Sequence, residues 1–201
     1  YNMEQNTLTP IAKEDARVVR TKRDLRNALE ELLQEKNFDE LSVKDITDKA
    51  LISKNTFYNN FQDKEELLQY LFTKYRKEIM VELSPVLKKM TPIIKPLFLK
   101  KAIQIIINFF YSGKAPVLKL IQRDHSKSLF WNITNFIREM VLDIGQEYPH
   151  LFNKKVSLET IASFLAGAAS STLYFAAIKG DEIDQDSLIK DLIKLSSPLI
   201  D

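Results

Sequence analysis

The sequence predicts an all-α protein with two helical domains, a small N-terminal one and a larger C-terminal one. The chain has only 4 Gly and 7 Pro in 201 residues. Leu, Ile, Lys and Glu recur at helical spacing, while alternating runs of β-branched residues are scarce. An apolar content of 45% can fill one large core or two modest ones, and 28% charged residues are typical of a soluble globular protein.

Composition excludes several classes of protein. The absence of Cys rules out disulfides and thiolate metal sites and fits a reducing compartment, so we expect a cytoplasmic protein. Even the apolar run AIQIIINFFYS ends at Gly113, short of the roughly 20 residues that cross a bilayer, and we expect no membrane partner. The polar N-terminus contains acidic residues and is unlike a signal peptide.

Net charge does not by itself indicate a nucleic-acid partner. The chain carries +2 overall, and residues 1–80 hold 14 Lys and Arg against 15 Asp and Glu. The placement of charge is more informative, because basic residues gather ahead of the first apolar helix: Arg17, Arg20, Lys22, Arg23 and Arg26. This cluster indicates either a basic face for DNA or an ordinary solvated helix start.

The first two helices are marked by apolar stripes and capping residues. We expect helix one to end near Asn37, a residue that tolerates the left-handed conformation of a C-cap. Ser42 with Asp45 three residues later is an N-cap pattern that opens a short second helix, which ends near Leu51. The stripe that predicts helix one is Leu25, Ala28, Leu29, Leu32 and Leu33.

The stretch SKNTFYNNF, residues 53–61, predicts a third helix with an unusual surface. Ser53 is a second N-cap only a short turn after helix two, and Phe57 and Phe61 share one face at helical spacing. The non-aromatic residues are all polar and none is acidic. Asp63 with Glu66 then opens a long helix, expected from about 64 to 83, with the apolar stripe Leu67, Leu68, Leu71 and Tyr75.

Two short helices joined by a tight turn and flanked by longer helices predict an N-terminal three-helix helix-turn-helix domain. Phe57 and Phe61 would hold the second short helix against its neighbours. Its polar side chains would then enter a major groove and meet base edges and phosphates, which would repel acidic residues. An ordinary amphipathic helix in a bundle is the structural alternative.

Residues 21–68, from TKRDL to KEELL, resemble the DNA-binding domain of the tetracycline-repressor (TetR) family of bacterial regulators without a gap. The resemblance implies a homodimer that binds a double-stranded DNA operator, with repression as the commoner mode. It also implies a C-terminal domain that dimerises and binds a small molecule. The implied boundaries are an N-terminal arm at 1–16, a helix-turn-helix domain at 17–66 and a regulatory and dimerisation domain at 67–201.

The resemblance also assigns DNA contacts. It implies that Tyr58 donates its hydroxyl to a phosphate and that Lys64, in the first turn of the long helix, adds its ammonium. Asn55 stands where the family commonly has Gly, and it is the candidate for reading an adenine. The other contact candidates are Ser42, Lys44, Lys54, Thr56 and Asn59. Simple solvation of the two lysines, Lys44 and Lys54, and partial burial of Tyr58 are the alternatives.

Leu51 departs from the family pattern, because Gly is common in the turn between the two short helices. A turn that needs positive φ would cost Leu about 1 kcal/mol or more relative to Gly. The sequence leaves two possibilities open: the turn avoids that conformation, or the strain is tolerated. Asn37 likewise stands at a common Gly position, and Asn60 at a common His position.

The C-terminal half begins with a predicted linker, because Pro85, Pro92 and Pro96 fall within a dozen residues. The next helix becomes apolar on nearly every side after Ala102, which indicates burial between several helices. Two further helices are predicted at 114–123 and 127–146.

The last two helices predict a dimer interface. A narrow stripe of small residues at 162–176 allows another helix to approach closely. Paired about a twofold axis, two such helices per subunit would form the four-helix interface that the resemblance implies. The interface candidates are Ala162, Ala166, Ala169, Leu173, Leu188, Leu192 and Leu195. Packing of the same stripes inside one chain is the alternative.

Aromatic residues of the C-terminal half are candidates for lining a cavity that holds a small apolar or aromatic ligand. With His125, the candidates are Phe110, Trp131, Phe136 and Tyr174. Plain core packing is the alternative for each of them.

An enzyme is not expected. The chain has two His and no Cys, and it shows neither a phosphate-cradling Gly loop nor a cluster with metal-ligand spacing, so we predict no cofactor and no metal site. The remaining alternative to a DNA-binding regulator is a helical protein-interaction scaffold with vestigial DNA binding. The neutral charge of the first 80 residues and Leu51 in the turn favour that alternative.

Overall fold

The computed structural model describes residues 15–89, 95–111, 117–123, 127–179 and 184–196. Those ranges contain nine α-helices and no strand, which confirms the all-α prediction. The N-terminal helices are α1 (Ala16–Leu32), α2 (Val43–Ala50), α3 (Lys54–Tyr58) and α4 (Lys64–Leu87). The others are α5 (Lys95–Tyr111), α6 (Val117–Arg123), α7 (Lys127–Glu147), α8 (Leu158–Lys179) and α9 (Gln185–Ser196).

The predicted caps form the starts of the short helices. The Ser42 hydroxyl accepts from the Asp45 amide at 3.2 Å, and the Asp45 carboxylate accepts from the Ser42 amide at 2.8 Å, so this capping box is complete. Ser53 accepts from the amide of Thr56 at 3.1 Å. At α4 the Asp63 carboxylate accepts from the Glu66 amide at 2.7 Å. Each side chain satisfies an amide that the first turn of a helix leaves without a partner.

The N-terminal helices bury one apolar face each. Phe57 is fully buried, its ring lies 5.9 Å from that of Phe61, and Phe61 lies 5.5 Å from Tyr70 of α4. Phe57 of α3 and Phe61, three residues after its end, therefore hold the helix against its neighbours, as the sequence predicts. The same core contains Leu25, Leu29, Phe38, Ile46, Leu67 and Leu68.

Two predicted helix ends are wrong. Asn37 has φ −69° and ψ 148°, an extended conformation, because it precedes a short 3-10 helix at Phe38–Glu40 instead of capping α1. The predicted break at Pro85 does not occur either, since α4 continues to Leu87. Proline removes the hydrogen bond to the carbonyl of Val81, a residue that is 75% exposed. Pro92 lies outside the described residues.

The C-terminal helices pack chiefly around α7 and α8. α8 lies along α7 and also contacts α6, while α5 contacts α4 and α9. Gly145 of α7 permits the close approach of α8, because a Cβ at this position would collide with the side chain of Leu158.

The expectation that no apolar segment approaches a membrane span is wrong for α8. Among the described helices, Leu158–Lys179 is long and apolar enough to cross a membrane by length and composition. A core helix of a soluble protein passes the same test, and α8 packs against α7 and α6.

The two halves meet along α4. Tyr75 is fully buried, its ring lies 5.7 Å from Phe109 of α5, and its hydroxyl donates to Glu30 of α1 at 2.9 Å. Burial and the neighbouring Glu30 charge raise the pKa of Tyr75, so it stays a neutral donor. Lys74 adds a second contact to the same carboxylate at 2.7 Å. These interactions fix α1 on α4.

Leu51 adopts the left-handed conformation, with φ 56° and ψ 38°, and its side chain is 93% exposed. The sequence left open whether the turn avoids this conformation or adopts it with strain, and the structure shows the second. Its amide donates to the carbonyls of Asp48 and Thr47, which ends α2 and turns the chain toward α3.

We expect Leu51→Gly to raise the free energy of unfolding by about 1 kcal/mol, because Gly adopts this conformation without the Cβ clash. Urea unfolding measures the change. Leu51→Ala is the control: it keeps the Cβ and should lie within about 0.5 kcal/mol of wild type, since little apolar area is lost. Equal stabilisation by both substitutions would refute the strain explanation.

Candidate nucleic-acid interface

α3 presents a polar surface to solvent. Lys54, Asn55, Tyr58 and Asn59 are exposed, whereas Phe57 on the opposite side is buried. Tyr58 is 56% exposed and its ring meets that of Phe57 edge-on at 5.4 Å. The ring is thus braced by the core while most of it faces water, which contradicts the alternative of a core tyrosine.

Two of the candidate contact residues also hold helix starts. The Thr56 hydroxyl lies 2.9 Å from that of Ser53 and is half-buried. The Ser42 hydroxyl lies 2.5 Å from the Asp45 carboxylate, and the Ser42 hydrogen bonds hold the pKa of Asp45 below its usual value. The Ser42 hydroxyl donates to Asp45 and keeps an acceptor position, whereas in the Ser53–Thr56 pair either hydroxyl can donate.

The lysines around α2 are paired with acidic residues. Lys44 binds Asp48 one turn later, and this hydrogen bond and charge raise the pKa of Lys44. Lys49 lies 2.9 Å from Glu31, and Lys36 lies 3.9 Å from Asp45. Lys54 differs, because among the described residues no acidic side chain lies within 4.0 Å of its ammonium. Its charge is therefore fully available to a phosphate.

Lys64 has a structural role that the resemblance did not imply. Its ammonium donates to the main-chain carbonyls of Phe38 at 2.9 Å, Asp39 at 3.3 Å and Leu41 at 2.9 Å. It also lies 4.6 Å from the centre of the Phe38 ring. An ammonium has three hydrogens, and all three are used. In this structure Lys64 ties the segment between α1 and α2 to the start of α4, and its contact with a phosphate stays a prediction.

The sequence did not reveal this role, because a lysine in the first turn of a helix has the same local pattern whether it binds an anion or a carbonyl. Only the distance between Lys64 and residues 38–41, which lie more than 20 positions earlier, distinguishes the two.

The predicted dimer residues divide into buried and exposed sets. Ala162 and Ala166 have no exposed surface within a single chain, because α8 packs this stripe on α7 and α6. They cannot contact a second subunit in this arrangement, so their assignment to the interface is wrong and the in-chain alternative holds for them. Leu195 is 72% exposed, and Ala169, Leu173, Leu188 and Leu192 are half-buried.

A second face of α8 was missed. Phe164, Phe175 and Ile178 are 61%, 57% and 62% exposed. With exposed Ala168 and Ser171 they recur at alternating spacings of four and three residues, the pattern of a helix-pairing seam. We call Phe164, Ala168, Ser171, Phe175 and Ile178 the α8 seam. The spacing was visible in the sequence, but the apolar composition of α8 on its other faces concealed it.

The ligand candidates are not gathered in one place. Trp131 is 71% exposed on α7, so its assignment to an interior cavity is wrong. Phe136 is buried with its ring 5.4 Å from Phe72, and Tyr174 lies 5.0 Å from the Phe130 ring. The Phe110 side chain and His125 lie outside the described residues. Within the described ranges no group of three His, Asp or Glu side chains is placed to hold a metal ion.

We expect Lys64→Ala to lower the free energy of unfolding by about 1 to 3 kcal/mol, since it removes three charge-assisted hydrogen bonds to main-chain carbonyls. Lys54→Ala, the exposed counterpart, should change it by less than about 0.5 kcal/mol. Urea unfolding of both variants tests the assignment. Equal, small effects would mean that the Lys64 contacts contribute nothing to stability.

Comparison with known proteins agrees with this architecture. Residues 25–71 match the family model described as "Bacterial regulatory proteins, tetR family". An uncharacterized HTH-type transcriptional regulator, YxbF of Bacillus subtilis, is 28% identical over 137 residues, 68% of this chain and 33% of its own length. The dhaKLM operon transcriptional activator DhaS of Lactococcus lactis is 40% identical over 52 residues, 26% of this chain and 28% of its own length.

The matched segments thus span about a third of the length of these curated relatives or less. Among solved structures, Thermus thermophilus FadR, a TetR-family repressor in complex with lauroyl-CoA, superposes with a TM-score of 0.58 at 18% identity. That match covers 87% of this chain and 92% of FadR, and it is a likeness of fold. Residues 25–71 are thus similar to the tetR family of bacterial regulatory proteins, and the chain has the fold of solved TetR-family structures.

Proposed function

We propose that the protein is a sequence-specific DNA-binding transcriptional regulator that acts as a homodimer. The observation that carries the proposal is the surface of α3, where exposed polar side chains without an acid stand on a helix pinned by Phe57 and Phe61. Such a helix is suited to a major groove, because its donors reach base edges and phosphates while its aromatic face stays in the core.

The contact roles differ between the exposed residues of this surface. Lys54 supplies an uncompensated charge to a phosphate, and Tyr58 donates a hydroxyl from a braced ring. Asn55, in the first turn of α3, carries an amide that matches the two edge positions of adenine. Asn59, at the C-terminal end of α3, is a further polar contact. Lys44 shares its charge with Asp48 and contributes less.

The α8 seam is the surface we assign to the homodimer. Its three large apolar side chains are more than half exposed in one chain, and exposed Leu195 of α9 extends the apolar surface available. Pairing two seams about a twofold axis would remove these side chains from water without disturbing the buried Ala162 stripe. Leu188 and Leu192 of α9 keep partial exposure and stay candidates for the same interface.

The C-terminal half is proposed to hold a small apolar or aromatic ligand that releases the operator, which would make the protein a ligand-responsive repressor of the cytoplasm. The lauroyl-CoA bound to FadR supports an apolar ligand class. With the proposed domain boundaries at residues 16 and 66, α4 connects the helix-turn-helix domain to the regulatory domain. Regulation, not catalysis, is the activity expected of this family.

Selection of bound sequences from a random duplex pool tests the proposed function most directly. A regulator should yield a symmetric site, with binding that is retained at low salt and lost at high salt. Absence of binding to any duplex would favour the alternative of a helical protein-interaction scaffold with vestigial DNA binding.

We expect Lys54→Ala to reduce the slope of log affinity against log salt by about 1.8, since two phosphate contacts per dimer each contribute about 0.9. Its discrimination between sequences should barely change. Lys155→Ala, which removes an exposed lysine of the C-terminal half, is the control and should leave the slope unchanged.

Asn55→Ala should show the opposite behaviour. Because the amide is uncharged, its loss does not change how many counterions are released, and the slope of log affinity against log salt should stay constant. Discrimination between bases should fall by about 1 to 3 kcal/mol at one base pair of each half-site. Uniform weakening on all sequences would show that Asn55 does not read a base.

We expect Phe175→Glu to dissociate the dimer at micromolar concentration, because a carboxylate would be buried in an apolar seam. Sedimentation measures the oligomeric state. The protomer should stay folded, since Phe175 is 57% exposed in one chain. Val81→Glu, at a 75% exposed apolar site on α4, is the matched control and should remain dimeric. A dimer that survives Phe175→Glu would place the interface elsewhere.

A further inference from the structure

Arg123, the last residue of α6, reaches across to the end of α1. Its Nη2 donates to the carbonyls of Leu33 at 3.0 Å and Lys36 at 2.7 Å, and its Nη1 donates to that of Gln34 at 3.1 Å. Its Nε donates to the Asn37 side-chain oxygen at 2.8 Å. One side chain therefore makes four hydrogen bonds to partners that lie 86 to 90 positions away in the chain.

The chemistry of this contact is specific for arginine. The carbonyls of Leu33, Gln34 and Lys36 lie in the turn that follows α1, near the negative end of the helix dipole, so they attract a cation. A guanidinium offers five donors in a fixed plane and can bind several such carbonyls at once, whereas an ammonium offers three donors around a point charge.

The contact connects parts of the molecule that have different tasks. α6 packs against α8, which carries the seam, and the loop 33–41 leads directly into α2 of the helix-turn-helix unit. The same loop is held from its other end by the three bonds from Lys64 of α4. It is thus fastened to α4 at residues 38–41 and to α6 at residues 33–37.

We propose that Arg123 is a positioning residue for DNA recognition: it fixes the helix-turn-helix unit relative to α8, and so sets the half-site spacing that the dimer accepts. The inference rests on the proposed function. In a dimer paired through α8, the distance between the two α3 helices depends on how each helix-turn-helix unit is held relative to the α8 of the same chain. Dimeric helix-turn-helix proteins read half-sites about one helical turn apart, so freedom at this contact relaxes the spacing.

The α1–α4 contacts made by Glu30, Lys74 and Tyr75 do not involve Arg123. Removing the guanidinium should therefore loosen the placement of the unit without unfolding it. Affinity for a single half-site depends on the candidate contacts of α2 and α3, none of which bonds to Arg123, and should be unchanged.

The experiment compares Arg123→Ala with wild type on three duplexes, carrying the selected spacing and spacings one base pair shorter and longer, and on an isolated half-site. We expect Arg123→Ala to bind the selected duplex about tenfold more weakly and to discriminate less between the spacings. Half-site binding and dimerisation should be unchanged. Arg123→Lys should give an intermediate result, and Gln122→Ala, an exposed neighbour on α6, should behave as wild type.

A double-mutant cycle with Asn37→Ala adds a second readout, because Asn37 accepts one of the four bonds. Its effect on spacing discrimination should be smaller than that of Arg123→Ala and should vanish in the Arg123→Ala background. An unchanged spacing preference in Arg123→Ala would overturn the inference, as would equal losses on every duplex including the half-site. Failure of the wild-type protein to bind any duplex would instead overturn the proposed function itself.

Discussion

The uninterrupted apolar stripe of α4 is the constraint on which the rest of the structure depends. Eight of its residues are buried over 24 positions: Leu67, Leu68, Leu71, Phe72, Tyr75, Ile79, Leu83 and Leu87. At 1.5 Å per residue this helix is about 36 Å long, so one rigid element contributes to the core of both halves. Its first turns hold α3 through Phe61 and Tyr70, and its middle holds α1 through Glu30 and α5 through Phe109. Burial of each such side chain contributes about 1.5 to 3 kcal/mol.

Charge is distributed so that few cations remain free near the reading helix. Lys44, Lys49 and Lys64 are each engaged by an acid or by carbonyls, and Lys54 on α3 is the exception among them. Since exposed ion pairs contribute little to stability, the pairs of Lys44 and Lys49 act mainly on the local field. If α3 contacts DNA as proposed, this arrangement concentrates the positive charge of a near-neutral domain at Lys54, which has no acidic partner among the described residues.

The two contacts that hold the loop 33–41 use different cations for related tasks. Lys64 donates to the carbonyls around the 3-10 helix, and Arg123 donates to the carbonyls of the turn after α1. Both cations donate to main-chain carbonyls that are distant in the chain. The loop 33–41 is thus held by polar contacts, which are more easily altered than the packed core along α4.

The sequence by itself determined the helical class, the starts of α2, α3 and α4, and the pinning of α3 by Phe57 and Phe61. Those features follow from local rules: capping oxygens within three residues of the amides they accept from, and apolar side chains at helical spacing. It also limited Leu51 to two conformations without choosing between them.

Tertiary structure decided the remaining features, because the role of a residue depends on which parts of the chain pack against it. Lys64 became a carbonyl ligand since residues 38–41 fold over it, and Ala162 and Ala166 became core since α7 covers them. Phe164 and Phe175 were left exposed on the other side of the same helix. Which face of an apolar helix is covered, and which cation finds an anion or a carbonyl, depends on partners distant in the chain, and local sequence rules do not encode those distances.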